Sequence, residues 1–247
     1  MLYVITAILG YLLGSISFAY LICKSKGVDI FSVGSGNPGA TNVTRAVGGF
    51  WGKVCFLADF LKGFIATGWP FLLTPGIALI STSGGTVEIE KMLHIHAWTL
   101  EASFFEGPVS AVQAAHESAL LYGIIGYLGA ILGHTFSLHL KRLTGKFRGG
   151  KAVATTMGGL LALSPPVFLT GIAIWAAVYF GFGRIVGLAS VVFAAALPLL
   201  AWAWGEHAVV IWFLLLLGLF VIFKHRSNLT RLLKGEEQVF AKNTESQ

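Results

Sequence analysis

Three short segments of the chain carry residue types that suit phosphate binding. The first covers residues 34–45 and combines glycines, hydroxyl and amide side chains, and Arg45. Glycines let the backbone approach a ligand and point N–H groups at it, and a guanidinium group matches the geometry of phosphate. Glycine and asparagine are also common in plain turns. Arg45 is the residue that favours an anion site over a connecting loop.

The second segment, residues 145–152, ends in Gly149, Gly150 and Lys151. Its first seven positions match a nucleotide-binding P-loop, but Ala152 stands where Ser or Thr must hold Mg²⁺, and an apolar span precedes it instead of a β-strand. We therefore reject a nucleotide site. Two glycines and a lysine at the start of a helix still favour an anion. Nearby cations are explained as markers of membrane topology: Lys141, Arg142, Lys146 and Arg148.

The third segment covers residues 224–236. His225 and Asn228 lie at positions i and i+3, on one face of a helix, where they could hydrogen-bond a polyol hydroxyl or a phosphate. The lysines and arginines of this segment are interpreted as an interfacial helix lying on anionic lipid. Together the three segments predict one composite site for more than one anion.

The composition indicates a membrane protein. Of 247 residues, 55% are hydrophobic and 11% are charged, and the mean hydropathy is +0.78. About a quarter of a soluble domain is charged, so neither a soluble globule nor a large soluble catalytic domain fits. In so apolar a chain, the net charge of +6 favours anionic lipid headgroups or anionic substrates over nucleic acid.

Metal chemistry finds little support in the residue types. Cys23 and Cys55 are the only cysteines and lie in or beside apolar runs, which supports neither a disulfide framework nor a thiolate site. Asp29 and Asp59 are the only aspartates, too few for a carboxylate-built two-metal site. We expect no metal and no cofactor.

Hydropathy predicts an all-α integral membrane protein with about seven transmembrane helices. The predicted spans share an apolar composition and cover residues 2–23, 51–73, 119–140, 152–164, 166–181, 185–203 and 207–223. Basic and acidic loops alternate along the chain, which places the N-terminus outside and the C-terminus in the cytoplasm. We expect one domain, residues 1–247, with an extracytoplasmic insertion loop at about 77–117.

The chain resembles the acyl-phosphate:glycerol-3-phosphate acyltransferases of bacteria. The likeness rests on residues 35–42 with Arg45, on residues 133–137 followed by 149–155, and on residues 225–228 with Arg231. Residues 56–63, with Asp59 and Lys62, resemble the family as well. The loop at 77–117 departs from the family, which connects these spans more briefly.

The resemblance implies an enzyme of the bacterial cytoplasmic (inner) membrane, with its site on the cytoplasmic face. It would transfer a fatty acyl group from acyl phosphate to the sn-1 hydroxyl of glycerol 3-phosphate, giving lysophosphatidic acid and phosphate, the first step of phospholipid synthesis. Its partners would be these two substrates and membrane lipids, with no nucleic acid and no obligatory protein partner. Acyl phosphate is already activated, so direct attack needs neither a covalent acyl-enzyme nor a metal.

The resemblance also implies roles for individual residues. The catalytic set is Ser35, Arg45, Lys151, His225 and Asn228. The substrate-binding set is Gly36, Asn37, Thr41, Asn42, His134, Gly149, Gly150 and Ser190. The base stays open between His225 and an oxygen of a substrate phosphate, and the family resemblance favours the phosphate.

An anion or phosphoester transporter is the alternative function. Asp59 and Lys62 inside a span could be a coupled pair, although at i and i+3 they could equally be a structural ion pair. Transporters place ligands near the bilayer midplane, often in broken helices of two related halves. Here the predicted ligands lie in loops and no internal repeat is visible, which favours the enzyme.

Overall fold

The computed structural model describes residues 1–81, 109–237 and 239–240, and this part of the chain is helical. Its backbone forms eleven helices, and the only pairing of extended backbone within it is an isolated bridge between Ser137 and Arg148. The helices are α1 Leu2–Ser15, α2 Phe18–Ser25, α3 Ala40–Val47, α4 Gly49–Ser81, α5 Val109–Thr135, α6 Leu138–Thr144, α7 Val153–Leu163, α8 Pro165–Gly181, α9 Val186–Ala203, α10 Ala208–Lys224 and α11 Arg226–Leu233.

Within the described residues, four stretches are long and apolar enough to cross a membrane: Leu2–Ser25, Gly49–Phe71, Glu117–Thr135 and Val186–Ala203. A fifth is added if α10 and α11, which meet at a 55° bend, are taken as one span. The two remaining apolar helices, α7 and α8, are shorter. The all-helical architecture agrees with the prediction, while the count of seven and the orientation of the termini stay predictions.

Several boundaries differ from those predicted. Helix α4 continues to Ser81 and α5 begins at Val109, so the ends of the predicted 77–117 loop are helical, and residues 82–108 lie outside the described part. The third span ends at Thr135 instead of residue 140, and the first apolar run is broken at residues 16–17. Hydropathy does not detect such breaks because it is averaged over a long window, and a few small hydroxyl residues such as Ser15, Ser17 and Ser137 hardly lower that average.

The chain packs as two compact units. The first unit contains the described residues of 1–18, 56–149 and 154–165. Within it, α1 and α5 approach so closely that a Cβ at Gly10 or Gly14 would collide with the backbone of Gly126 or Ala130. Small residues permit this backbone contact, which is the usual basis of helix association in an apolar medium.

The break between α1 and α2 is stabilised by a buried lysine. Lys62 Nζ donates a hydrogen bond to the carbonyl oxygen of Ile16 at 3.0 Å and lies 2.7 Å from Asp59 Oδ1. Both charged side chains are about 2% exposed, and His134 Nδ1 lies 3.6 Å from the same carboxylate oxygen. The ion pair therefore has a structural role. Lys62 donates to the Ile16 carbonyl, which the break in the helix leaves without a helical partner, and Asp59 compensates the buried charge of Lys62.

The second unit contains the described residues of 19–55, 150–153 and 166–240. Its core includes Phe193, Leu197 and Leu214, all nearly inaccessible to solvent. Gly218 of α10 lies against the Ala194 carbonyl of α9, so these two helices are also in close contact. The three segments that the sequence singles out lie in this unit, except for the part of the second segment before Gly150.

We predict that Lys62→Met lowers the stability of the protein by roughly 3–5 kcal/mol, because removing one member of a buried pair leaves the other charge uncompensated. Lys53→Met is the control, since Lys53 lies on the same helix and is exposed. The measurement is the midpoint of thermal unfolding in detergent. Equal midpoints for the two variants would contradict the structural role of the pair.

Candidate functional site

The loop before α3 is organised by the side chain of Asn42. This side chain is 1% exposed, donates to the carbonyls of Ile30 and Val33 at 3.1 and 2.9 Å, and accepts from the N–H of Ser35 at 3.1 Å. The amide predicted to bind substrate is thus engaged with the backbone. Its effect is to fix the loop that carries Ser35.

The other residues of this loop stay close to its surface. Ser35 is exposed, and its Oγ accepts a 3.4 Å hydrogen bond from the N–H of Asn37. Gly36 has a φ of 63°, a conformation that side chains disfavour. Thr41 is half-buried on the first turn of α3. Ser35 and Gly36 thus lie on a turn whose backbone requires glycine.

Arg45 lies beside this loop and within electrostatic range of residues from the other two segments. Its Cδ would lie 3.5 Å from a Cβ built at Gly34, so its side chain passes beside the loop. Partial burial lowers the pKa of Arg45, the charge of Glu237 raises it, and that of Arg231 lowers it. These influences place Arg45 within electrostatic range of two groups from the C-terminal segment.

Lys151 and Asn228 are in direct contact. The Lys151 ammonium donates a hydrogen bond to Asn228 Oδ1. The structure therefore brings together the second and third segments at two of the five residues expected to be catalytic. Burial, reinforced by the charges of Arg231, Lys224 and Arg45, lowers the pKa of Lys151 to about 8, while Glu237 acts in the opposite direction. At pH 7 Lys151 is still mostly an ammonium ion.

His225 lies at the junction of α10 and α11 and is 3% exposed. Its Nδ1 is 2.8 Å from the carbonyl oxygen of Val221, and because a carbonyl only accepts, Nδ1 carries the proton. Nε2 is then the nitrogen able to accept a hydrogen bond or a proton. Burial lowers the pKa of His225 to about 4, so the ring is neutral at pH 7.

The remaining predicted residues have mainly structural contacts. Ser190 is fully buried; its Oγ donates to the Val186 carbonyl at 2.8 Å and lies 3.4 Å from Trp175 Nε1. Gly150 is buried in the second unit.

In the first unit, His134 lies between Asp59 and Thr155, with Thr155 Oγ1 3.4 Å from His134 Nδ1. A Cβ at Gly149 would collide with the carbonyl oxygens of His134 and Thr135. His134 and Gly149 thus contribute to the packing of this unit.

Two residues that were not predicted as ligands complete the cluster in the second unit. Glu237 accepts a hydrogen bond from Asn228 Nδ2, and its other oxygen accepts from Arg231 Nε at 2.7 Å. The sequence offered one signal for Arg231, since it belongs to the third motif, but it was assigned to lipid contact. For Glu237, nothing in the sequence distinguishes it from the adjacent Glu236 as a residue of the site.

A metal ion has no ligand set in the described part of the chain. Over these residues, no three His, Cys, Asp or Glu side chains come together as a metal would require. What the cluster offers instead is hydrogen-bond donors and positive charge, which suit an anion.

Known proteins identify the family. The family profile described as glycerol-3-phosphate acyltransferase matches residues 4–235. This chain belongs to that family. The prediction made from the motifs is thereby confirmed, and the family members compared below are enzymes.

Curated relatives match over nearly their whole length. The glycerol-3-phosphate acyltransferase of Aquifex aeolicus (strain VF5) is 35% identical over 233 residues, covering 94% of this chain and 96% of the relative. The protein of the same name from Desulforudis audaxviator (strain MP104C) is 34% identical, covering 94% and 93%.

Two crystal structures share the fold. They are described as PlsY (YgiH), an integral membrane glycerol 3-phosphate acyltransferase, in a glycerol 3-phosphate form and a lysophosphatidic acid form. Each is 32% identical and covers 98% of this chain and 96% of its own, with TM-scores of 0.71 and 0.69. The apolar helices of the present chain, together with its likeness to these structures, make it a multi-pass integral membrane protein.

Ala152, next to Lys151, has a φ of 62° and is 1% exposed. A left-handed conformation costs a residue with a Cβ roughly 1–2 kcal/mol, and glycine's extra entropy offsets part of the gain. We therefore predict that Ala152→Gly raises the free energy of unfolding by about 0.5–1 kcal/mol.

The measurement is thermal unfolding of the purified protein. Ala154→Gly is the control, because Ala154 lies in helix α7 and its loss should lower the midpoint. A lower midpoint for both variants would show that the backbone at Ala152 is not strained.

Proposed function

We propose that this chain transfers a fatty acyl group from acyl phosphate to the sn-1 hydroxyl of glycerol 3-phosphate, releasing lysophosphatidic acid and inorganic phosphate. This reaction would be the first step of phospholipid synthesis. The observation that carries the proposal is the direct contact of Lys151 with Asn228, within electrostatic range of Arg45. Both substrates and one product carry a phosphate, so a cluster of cations and hydrogen-bond donors fits them.

Positive charge is the main contribution of the protein to the reaction. The substrate hydroxyl attacks the acyl carbonyl carbon, and the bond from that carbon to the phosphate oxygen breaks. Negative charge develops on the leaving phosphate, where Lys151 and Arg45 stabilise it. Ser35 and the N–H groups of its loop, which Asn42 holds in place, supply further hydrogen bonds to the anion.

The hydroxyl proton passes to a phosphate oxygen of the substrate. With a pKa of about 4, His225 is a weak base at pH 7, whereas the second pKa of a phosphate ester is about 6. His225 Nε2 then orients the substrate by accepting a hydrogen bond from the other hydroxyl of glycerol 3-phosphate, at sn-2, which does not react. The low pKa of His225 supports the substrate phosphate as the base, and the reaction as proposed uses neither a metal nor a cofactor.

The site faces the cytoplasm in a bacterial inner membrane on this proposal, and seven spans form one domain. Support comes from the basic residues of the segments around Lys151 and His225, because short cytoplasmic loops are rich in lysine and arginine. The 77–117 stretch is then an extracytoplasmic insertion. The transporter alternative loses its main support, because Lys62 is hydrogen-bonded to the Ile16 carbonyl.

The first test uses purified protein with palmitoyl phosphate and glycerol 3-phosphate. We expect phosphate release that needs both substrates and yields lysophosphatidic acid, identified by mass. Lys151→Ala should lower kcat roughly 100- to 1000-fold, since it removes a charge that stabilises the transition state. Lys146→Ala is the matched control, because Lys146 is exposed in the same segment.

Two outcomes would contradict the proposal. A folded wild-type protein that makes no lysophosphatidic acid is not this acyltransferase. Activity lost in excess chelator and restored by Mg²⁺ would contradict a mechanism that relies on protein cations alone.

The pH dependence is a second test. Lys151 is charged below its pKa of about 8 and neutral above it, so kcat/KM should fall as the pH rises through that value. The substrate phosphates are fully ionised there and do not contribute. In Lys151→Arg the charge persists to a pKa above about 12, so the alkaline fall should disappear from the rate profile of this variant. A wild-type profile that stays flat to pH 10 would contradict the role of the ammonium.

A further inference from the structure

Glu237 lies two residues beyond the end of the family match, yet it is among the most enclosed carboxylates in the described chain. Its side chain is 7% exposed and makes two hydrogen bonds, one with Asn228 and one with Arg231. Its neighbour Glu236 is exposed. A buried carboxylate is stable only when its oxygens are paired.

Glu237 fixes which way the Asn228 amide points. A carboxylate only accepts hydrogen bonds, so the group facing Glu237 must be the NH₂ of Asn228, and the amide oxygen must then face the other way. That oxygen accepts from the ammonium of Lys151. The contacts therefore form a continuous chain from Arg231 through Glu237 and Asn228 to Lys151.

The neighbouring helix encloses this chain of contacts. A Cβ at Gly187 of α9 would lie 2.8 Å from Asn228 Nδ2 and 3.0 Å from Glu237 Oε1. The absence of a side chain at Gly187 thus makes room for the two groups. It also leaves the amide little space to turn toward α9.

We infer that Glu237 is a positioning residue for the acyl transfer, which acts through Asn228 to hold the Lys151 ammonium in place. This inference rests on the proposed function, in which that ammonium stabilises the leaving phosphate. Glu237 itself need not contact either substrate.

The charges around Lys151 support the same role. Arg231, Lys224 and Arg45 all act to remove its proton, and His225 is neutral. Glu237 is the acidic group among the charges that act on Lys151 in the described residues, and it favours the ammonium. Without it, three cations would face Lys151 with no compensating carboxylate.

The experiment compares Glu237→Gln with Glu236→Gln, an adjacent exposed glutamate that serves as the matched control. The pKa of Lys151 is measured from the pH dependence of its labelling by an amine-reactive reagent, read by peptide mass spectrometry. This readout needs no turnover, so it can succeed or fail independently of the proposed reaction. Glu237→Gln should lower the pKa of Lys151 by about 1 unit, and the control should leave it unchanged.

Kinetics then separates positioning from general instability. In Glu237→Gln we expect kcat to fall roughly 10- to 100-fold with KM for glycerol 3-phosphate changed less than about threefold, and the alkaline fall of kcat/KM to move to lower pH with the labelling. Glu237→Asp keeps the charge but is one methylene shorter. It should lower kcat while the pKa of Lys151 stays near the wild-type value.

Arg231→Gln is expected to change the pKa of Lys151 in the opposite direction, and it can still be measured if Glu237→Gln does not fold. Removing this cation should raise the pKa of Lys151, although it breaks a hydrogen bond in the same cluster. Disruption of the local fold would instead move both variants in one direction. The inference is overturned if the two variants shift the pKa of Lys151 alike, or if Glu237→Gln leaves both the pKa and kcat unchanged.

Discussion

Backbone groups in an apolar environment must find hydrogen bonds inside the protein, and this constraint determines where the helices can break. At three of the breaks a side chain supplies the missing bonds. Lys62 serves the Ile16 carbonyl, and Asn42 serves three backbone groups of the loop before α3. Ser137 caps α6 by accepting from the N–H of Leu140 at 3.0 Å. Non-helical backbone between these helices is possible because such side chains support it.

A second constraint concerns charge. The cluster around Lys151 gathers several cations where water is partly excluded, and like charges at such distances repel one another. Glu237 reduces this repulsion while leaving a net positive potential. On the proposed function, the arrangement attracts a dianionic phosphate while Glu237 limits the repulsion among the cations. The charge on the protein also remains adjustable, because the pKa of Lys151 lies within about a unit of physiological pH.

The sequence predicted the helical architecture and the contact between motifs better than it predicted the task of each side chain. Lys151 and Asn228 were expected at one site and are hydrogen-bonded. A substrate-binding role for Asn42 stays a prediction, while its hydrogen bonds to three backbone groups could not be foreseen, because an amide suits a backbone carbonyl as well as a phosphate. Glu237 was missed because burial distinguishes it from Glu236, and burial there depends on the chain returning past α11 toward Gly187. The break at residues 16–17 was missed because a hydropathy average describes side chains and carries no information on backbone conformation.

The packing of α1 on α5 has a consequence for biosynthesis. Gly10 contacts the backbone of Gly126, which the ribosome reaches 116 residues later (126 minus 10). At a translation rate of about 5–20 residues per second, roughly 6–23 s pass between the synthesis of Gly10 and that of Gly126. During that interval the small-residue face of α1 contacts lipid, another membrane protein or an earlier helix of this chain such as α4. The assembly of the first unit is therefore an event that follows insertion of α1, and its timing depends on the rate of translation through the residues between them.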